Sequence, residues 1–307
     1  MRRPPDPSSV RLPGPWTHHE VSANGIRLHV AELGSGPLVL LLHGFPEFWW
    51  SWRHQLPALA ALGLRAVAVD LRGYGDSDKP PRGYDPWTLS GDVAGLVRAL
   101  GERQADLVGH DWGGILSWCT AALHPAVVRS VTVLAAAHPR AMGQALLRDP
   151  AQRAAARELA GFQVPWLPER RLTAEDAIVV EQLLRDGAGS QWTASSEFTS
   201  VARRYREAML IPAAAHCALE YYRWVGRSRF RFDGQRLSRA VNRQVRVPVL
   251  QLQGAADPYV LERTARRSAR WAGSGHRYVV LPGVGHFVQQ EVPEHTTALL
   301  TEFLRSP

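Results

Sequence analysis

Cysteine is scarce in this sequence. Only Cys119 and Cys217 occur among 307 residues, the first in an apolar segment and the second in an alanine-rich stretch. Two isolated cysteines in apolar surroundings are typical of buried thiols in a reducing compartment rather than of a disulfide framework. We therefore expect a cytoplasmic protein. No spacing of cysteine and histidine indicates a metal site, and we expect none.

Long apolar runs are also lacking. None reaches the roughly 18 residues that a membrane-spanning helix needs. Residues 1–15 contain three arginines and several prolines but no apolar segment like that of a secretion signal. Prolines favour an extended chain, so we expect a flexible N-terminal tail at residues 1–15 and no membrane partner.

Lysine is nearly absent, since Lys79 is the only one, yet abundant arginine gives a net charge of +8. Eight arginines lie between Arg223 and Arg246. Such a cluster can attract anions or nucleic acid, or it can form an ordinary solvated surface. Because no nucleic-acid motif and no interleaved aromatic platform accompanies the charge, we expect the solvated surface and no nucleic-acid partner.

Apolar segments typical of buried strands alternate with segments typical of helices over residues 16–138 and again over residues 244–307. An Asn-Gly pair at residues 24–25 divides an alternating segment and predicts a hairpin. The alternation elsewhere predicts an α/β fold, with a mostly parallel sheet covered by helices on both faces. The predicted strands are residues 38–42, 64–69, 105–108, 128–134, 247–252 and 277–281.

Residues 139–243 lack any buried-strand signal. Helical patterns replace it at residues 141–159, 173–185, 195–210 and 212–224. The segment follows a strand at the edge of the sheet where α/β proteins usually bind ligands. We therefore predict a core of residues 16–138 and 244–307, with residues 139–243 inserted as a helical cap over a water-poor pocket.

The pentapeptide Gly-His-Asp-Trp-Gly at residues 109–113 lies between a predicted strand and a predicted helix. In this context the G-x-S-x-G motif holds a nucleophilic serine on a tight turn. Here the residue is Asp111. A carboxylate is ionised at neutral pH and can attack a saturated carbon, which leaves an alkyl ester on the enzyme.

Hydrolysis of such an ester needs a base and an oxyanion site. Asp257 follows one predicted strand and His286 follows the last one, so nucleophile, acid and histidine occur in the order found in α/β hydrolases. Asp257 could also cap a helix, and His286 could be a surface histidine. The backbone N–H groups of Trp112 and Phe45 are the candidate oxyanion donors, while the isomer of the Pro46 peptide bond stays open.

Four motifs together resemble the epoxide hydrolases of the α/β-hydrolase superfamily. They are His-Gly-Phe-Pro-Glu at residues 43–47, Asp-Leu-Arg-Gly-Tyr-Gly at 70–75, Gly-His-Asp-Trp-Gly-Gly at 109–114 and Gly-Val-Gly-His at 283–286. The resemblance implies hydrolysis of a small apolar epoxide to a vicinal diol, with no cofactor. Asp111 would open the ring, and His286 with Asp257 would activate the water. A monomer or a homodimer is expected.

The same resemblance implies tyrosines in the cap that hold and protonate the epoxide oxygen. Tyr222 is the matching residue, and the adjacent Tyr221 should point elsewhere on the helix. Glu158 stands where a second cap tyrosine is expected. The register could slip, Tyr205 could substitute, or a single phenol could act alone. The residues expected to line an apolar pocket are Phe45, Trp112, Phe162 and Phe287.

Three other functions compete with this interpretation. A haloalkane dehalogenase would use the same nucleophile, but that family usually has asparagine where Phe45 stands, and dehalogenases of halo-acids use arginines where Trp112 and Ile115 stand. An esterase would have serine in place of Asp111. A non-catalytic binding protein would lack part of the triad, and no member is missing here.

Overall fold

One eight-stranded sheet runs through the part of the chain that the computed structural model describes, which is residues 3–305 without the side chain of Leu159. The strand order is β1-β2-β4-β3-β5-β6-β7-β8. The first two strands pair antiparallel, β2 pairs antiparallel with β4, and all other neighbours are parallel. The strands are β1 (Thr17–Ala23), β2 (Ile26–Leu33), β3 (Leu38–Leu42), β4 (Arg65–Val69), β5 (Ala105–His110), β6 (Val128–Leu134), β7 (Val249–Gly254) and β8 (His276–Leu281).

The sequence pattern of each strand explains its place in the sheet. Every residue of β3 and β5 is buried, as the continuous apolar runs predict for central parallel strands. The hairpin between β1 and β2 turns at Asn24 and Gly25, whose φ values of 48° and 79° are both in the left-handed region. A two-residue hairpin turn of this kind needs positive φ at both positions, which asparagine and glycine tolerate best.

Helices cover both faces of the sheet, and α2 and α3 pack on each other while α3 also contacts β5 and β6. Within residues 3–305, no helix combines the length and the apolar character that a bilayer crossing requires. The helices are α1 (Gln55–Ala60), α2 (Pro86–Ala99), α3 (Trp112–Leu123), α4 (Pro139–Arg148), α5 (Pro150–Ala155), α6 (Arg157–Gly161), α7 (Leu167–Thr173), α8 (Ile178–Gly187), α9 (Ser190–Thr193), α10 (Ser196–Met209), α11 (Ala214–Ser228), α12 (Phe232–Ala240), α13 (Glu262–Arg266), α14 (Val288–Glu291) and α15 (Pro293–Arg305).

Helices α4–α12 lie between β6 and β7 and correspond to the inserted segment that the sequence predicts. Their boundaries differ from the predicted ones. The helix expected over residues 141–159 is broken into α4, α5 and α6, because Asp149 has extended backbone and caps α5, which Pro150 opens. Helix α7 begins in the proline-containing segment that was expected to interrupt helices, because proline is tolerated in a first helical turn.

Part of the segment expected to be a flexible tail packs on the core instead. Residues Pro7–Val10 form a 3₁₀ turn, and Val10 is buried. The indole N–H of Trp49 donates to the carbonyl of Val10 at 2.8 Å, and a ring nitrogen of His18 lies 2.8 Å from the carbonyl of Leu12. Apolar side chains at positions 10 and 12 provide the contact that the neighbouring prolines obscure in the sequence.

Candidate active site

Asp111 stands on a sharp turn between β5 and α3. Its φ of 47° and ψ of −112° lie outside the regions that non-glycine residues usually occupy. The turn needs the flanking glycines, because a Cβ on Gly109 would collide with the backbone of Gly113, and one on Gly113 would collide with the backbone of Leu42. Backbone strain of this kind persists where surrounding structure holds it, and it often marks a functional site.

One backbone N–H group binds the Asp111 carboxylate, and a second faces it. The N–H of Phe45 donates to Oδ2 at 3.0 Å, and the N–H of Trp112, the next residue, is close enough to lower the pKa of the carboxyl. Phe45 follows β3, and its peptide bond to Pro46 is cis, which answers the question that the sequence left open. The two groups that the sequence predicts as oxyanion donors therefore converge on one carboxylate.

Burial raises the pKa of Asp111 above its ordinary value. The nearby His286 and His110, and then the two backbone donors, act in the opposite direction. The net direction is upward, because the loss of solvation outweighs the favourable neighbours.

His286 and Asp257 form the expected pair at the ends of β8 and β7. The Nδ1 atom of His286 lies 3.0 Å from Oδ2 of Asp257. Oδ1 of Asp257 accepts the backbone N–H groups of Tyr259 at 2.8 Å and Val260 at 3.0 Å, and Oδ2 also accepts Nε2 of Gln253 at 3.0 Å. These bonds fix the carboxylate in a turn that ends before α13, so Asp257 orients the histidine and does not cap that helix.

The pKa of His286 is raised to about 9. Burial alone would lower it, because a buried imidazolium loses solvation. The Asp257 carboxylate outweighs this effect, and Asp111 and Glu47 add to the rise. The histidine is therefore held as an imidazolium at neutral pH.

A second buried pair lies beneath the nucleophile, and our sequence interpretation missed it. Nδ1 of His110 lies 2.7 Å from Oε2 of Glu47, and Nε2 of His110 lies 2.9 Å from the carbonyl of His286. Oε1 of Glu47 accepts the side chains of Gln289 at 2.9 Å and Gln290 at 2.7 Å. Glu47 and His110 lie inside the motifs at residues 43–47 and 109–114. Their place in these motifs was the signal that could have identified them.

Tyr222 lies over Asp111 from helix α11 of the cap. Its ring packs edge-to-face on Phe45, Trp112 and Phe162, with centroid separations of 5.5, 5.3 and 5.1 Å. Burial, and next the charge of Asp111, raise the pKa of Tyr222 well above its ordinary value. The indole N–H of Trp112 opposes this rise, although it lies outside the geometry of a formed hydrogen bond. The phenol therefore keeps its proton beside the nucleophile.

The other tyrosines considered from the sequence lie elsewhere. The hydroxyl of Tyr221 donates to the carbonyl of Arg72 at 2.7 Å, so it faces away from the nucleophile. The hydroxyl of Tyr205 donates to Oε1 of Gln290 at 2.8 Å and is occupied there. Glu158 is exposed on α6, and its charge contributes to the raised pKa of Tyr259. None of the three supplies a second free phenol near Asp111.

Tyr74, in the Gly-Tyr-Gly motif after β4, is a phenol that sequence reasoning did not select. It is buried, and within residues 3–305 its hydroxyl has no hydrogen-bond partner. Burial, and next the charge of Asp111, raise its pKa well above the ordinary value. Its ring packs on His43 at 4.8 Å and on Tyr221 at 5.6 Å. A protonated phenol therefore lies within electrostatic range of the nucleophile from the core side.

The four expected pocket residues do not form one wall. Phe45, Trp112 and Phe162 surround Tyr222 on the side of the cap. Phe287 is fully buried and packs on His286 and His110 at centroid separations of 5.3 and 5.7 Å. It packs against these two histidines and not against Tyr222. Within the described residues, no group of three or more histidine, cysteine or acidic side chains could hold a metal ion.

Comparison with protein families matches residues 37–293 to a family described as having an alpha/beta hydrolase fold. Epoxide hydrolase A of Mycobacterium tuberculosis is 32% identical over 95% of this chain and 98% of its own length. The AB hydrolase superfamily protein YfhM of Bacillus subtilis is 32% identical over 93% and 97%. The crystal structure of epoxide hydrolase A from Mycobacterium thermoresistibile superposes with a TM-score of 0.81 at 29% identity, covering 95% of this chain and 98% of that one.

Proposed function

This chain belongs to the alpha/beta hydrolase fold family and, within it, to the epoxide hydrolases, and we propose that it hydrolyses an epoxide through a covalent ester on Asp111. The observation that carries this mechanism is an aspartate at a strained turn, beside a histidine paired with a second aspartate. The arrangement supports two steps with different requirements.

In the first step the Asp111 carboxylate attacks one ring carbon. The carbon–oxygen bond of the epoxide breaks, and the oxygen takes the proton of the Tyr222 hydroxyl. An unassisted alkoxide is a poor leaving group, so a positioned acid is needed. Two features support Tyr222 in this role: its ring packs on Phe45 and Trp112 beside Asp111, and burial raises the pKa of its phenol.

In the second step a water molecule attacks the ester carbonyl of Asp111, and His286 accepts a proton from the water. The oxyanion that forms is stabilised by the N–H groups of Phe45, which already binds the resting carboxylate, and of Trp112 next to it. Collapse releases the diol, whose second hydroxyl takes the proton held by His286. The remaining proton of the water leaves the restored Asp111 carboxyl and returns to the Tyr222 phenolate.

Ester formation also prepares the base for the second step. In the resting site the negative charge of Asp111 helps to hold a proton on His286. Alkylation makes Asp111 neutral and moves the negative charge to the Tyr222 phenolate, away from the carboxylates that raise the pKa of His286, so that pKa falls. The histidine then loses its proton to solvent more readily and becomes a base only after the ester exists.

Trapping tests the covalent step. We expect His286→Gln to react with a terminal epoxide and to gain the mass of one epoxide molecule in intact-protein mass spectrometry. Without a base, the ester should persist. The double variant with Asp111→Asn should show no added mass, because the nucleophile is gone. An absent adduct in the single variant, or an adduct that survives in the double variant, contradicts the mechanism.

The same assay separates the epoxide hydrolase from the dehalogenase alternative. The wild-type protein should convert the epoxide to a diol and should release no bromide from a matched bromoalkane. Bromide release without diol formation would show that the leaving group is a halide and not an epoxide oxygen. Asp111 would still be the nucleophile.

A further inference from the structure

Of the six large apolar side chains exposed on the described part of the cap, Leu147 lies on α4, and we call the other five the apolar cap patch. Three are aromatic: Trp166 is 80% exposed, Phe230 is 92% exposed and Phe232 is 72% exposed. Val164 and Leu167 are the other two. Single exposed apolar residues are common on soluble proteins, but a group of this size marks an interaction surface.

The two segments that carry the patch meet at the C-terminal end of helix α11. The guanidinium of Arg223 donates to the carbonyls of Phe162 at 3.0 Å and Val164 at 2.9 Å. The side chain of Gln163 donates to the carbonyl of Tyr222 at 3.1 Å. Phe230 follows the end of α11 by two residues. The exposed apolar groups of both segments therefore lie at one end of the cap.

Positive charge surrounds the aromatic residues of this patch. Residues 223–246 contain eight arginines and one acidic residue, Asp233. Arg229 and Arg231 are exposed and alternate with Phe230 and Phe232 along the chain, which corrects the expectation that no aromatic residues interleave with this charge. Among residues 3–305, six of the eight arginines form no ion pair within 4.0 Å. The six are Arg229, Arg231, Arg236, Arg239, Arg243 and Arg246.

We propose that the apolar cap patch docks this protein on an anionic lipid surface. Exposed tryptophan and phenylalanine side chains beside arginine are typical of surfaces that insert at a membrane interface. The aromatic rings enter the headgroup region, and the cations bind anionic lipids. In a dimer formed through this patch, the arginines without ion pairs on the two copies would face each other and repel. A single-stranded nucleic acid would use the cations and rings but would leave Val164 and Leu167 in water.

The patch is continuous with the wall of the active site. Phe162 precedes Val164 by two residues, and its ring packs on Phe45 at 5.8 Å and on Tyr222 at 5.1 Å. One short segment thus contacts both the site and the proposed lipid surface. This part of the inference rests on the proposed function: an apolar epoxide dissolved in lipid would enter beside this segment. It replaces the expectation of no membrane partner, which considered only spanning and targeting segments.

Vesicle sedimentation tests the docking surface without any assay of catalysis. The wild-type protein should bind vesicles that contain phosphatidylglycerol and should not bind vesicles of phosphatidylcholine alone. The triple variant Trp166→Ala/Phe230→Ala/Phe232→Ala should bind at least about tenfold more weakly, because buried apolar area drives insertion. Arg229→Gln/Arg231→Gln should weaken binding at low salt, and high salt should remove that difference.

A matched control is available on the same cap. Leu147 is 75% exposed and is followed by the exposed Arg148, but both lie on α4. Leu147→Ala/Arg148→Gln should therefore bind vesicles as the wild type does. Equal binding by the wild type and the aromatic variant overturns the proposal, as does wild-type binding to an RNA oligomer or self-association in place of vesicle binding.

Turnover of a short water-soluble epoxide keeps this proposal separate from the proposed function. Without vesicles, the aromatic variant should match the wild type within about twofold, because none of its substituted residues contacts the reacting groups. Vesicle binding by a protein that hydrolyses no epoxide would leave the docking surface intact and would refute the reaction. Full epoxide hydrolysis without vesicle binding would leave the proposed reaction intact and would refute the docking surface.

Discussion

At the scale of single residues, Asp111 occurs in two states in the proposed reaction, the resting carboxylate and the ester, and the same backbone N–H groups face both. The N–H of Phe45 binds the resting carboxylate, and the N–H of Trp112 faces it. In the proposed second step the same groups bind the oxyanion that develops on the ester. Donors that are fixed in the backbone need no reorganisation between these states, which is the main advantage of a preorganised site.

Tyr222 and its neighbour Tyr221 permit a matched test of the proposed acid. Tyr222→Phe should slow formation of the Asp111 ester by about 10²–10⁴-fold, the usual contribution of a positioned general acid. Tyr221→Phe removes an equivalent hydroxyl that bonds the carbonyl of Arg72 instead. It should leave the rate within about threefold and should cost about 1 kcal/mol of unfolding free energy. Single-turnover mixing with a chromogenic epoxide measures both rates.

Equal rates for the two variants would show that Tyr222 is not the acid. In that case Tyr74 becomes the next candidate, because its buried hydroxyl has no partner within the described chain. Tyr74→Phe in the Tyr222→Phe background would then abolish the remaining reaction.

The residues of the triad could be selected from the sequence because each lies in a loop directly after a strand pattern. The backbone donors Phe45 and Trp112 could be selected for the same reason. The pair of Glu47 and His110 could not, because these residues are 63 positions apart and their contact depends on how two loops pack. The unpartnered hydroxyl of Tyr74 likewise follows from packing, which no sequence pattern specifies.

At the scale of elements, hydrogen bonds join the cap to the loop that contains His286, the proposed base. The backbone N–H of His286 donates to the carbonyl of Gly187 at the end of α8, at 2.7 Å. The hydroxyl of Tyr259 donates to the carbonyl of Leu183 in α8, at 3.0 Å, while its ring stands perpendicular to that of His286. Glu291 accepts the N–H groups of Gly189 and Gly285, both at 2.8 Å. Movement of α8 would therefore disturb the base before it disturbs the nucleophile.

Tyr259→Phe tests this coupling. The ring on His286 remains, but the bond to α8 is lost. Ester formation should stay within about twofold, while ester hydrolysis should slow by about three- to tenfold, the effect of roughly 1 kcal/mol in one hydrogen bond. The ester should therefore accumulate in rapid-quench mass spectra. Tyr278→Phe is the control, because its hydroxyl bonds the carbonyl of Glu262 at 3.3 Å; equal effects in the two variants would contradict specific coupling.

Element boundaries in the cap were harder to predict than those in the core. Apolar residues mark both ends of the core strands β3 and β6, and both strands match the predicted residues. Helix α12 was not predicted, because only Leu237 among its residues is buried and its sequence shows little apolar periodicity. Its position depends on packing against α11, which local sequence does not encode.

At the scale of the whole molecule, buried and half-buried polar groups join cap to core. Arg53, in the core, donates to Glu197 of α10 at 2.7 Å and to Gln290 at 2.8 Å. Tyr205 of α10 donates to the same Gln290, which in turn donates to Glu47 beneath the nucleophile. The cap is thus connected by hydrogen bonds to the buried pair that supports the active site.

Glu197 makes this contact sensitive to acid. Its pKa is lowered to about 2: burial would raise it, but His54 and Arg53 together outweigh burial. A carboxylate whose pKa is lower in the folded protein stabilises the fold above its unfolded pKa of about 4.5, and the effect disappears as pH falls toward 2. Because the side chain is 36% exposed, solvent screening limits the contribution to about 1 kcal/mol.

We therefore expect Glu197→Gln to melt at a lower temperature than the wild type at pH 7, by about 1–2 °C. The difference in melting temperature should shrink as the pH is lowered from 5 toward 3. Protonation of Glu197 removes the negative charge from the wild type, and the substitution has already removed it from the variant. Differential scanning calorimetry across this range measures it. Glu207→Gln, whose partner Arg204 lies on the same helix and outside the contact between cap and core, is the control and should show a smaller effect at every pH. A pH-independent difference for Glu197→Gln would mean that packing rather than charge joins α10 to the core.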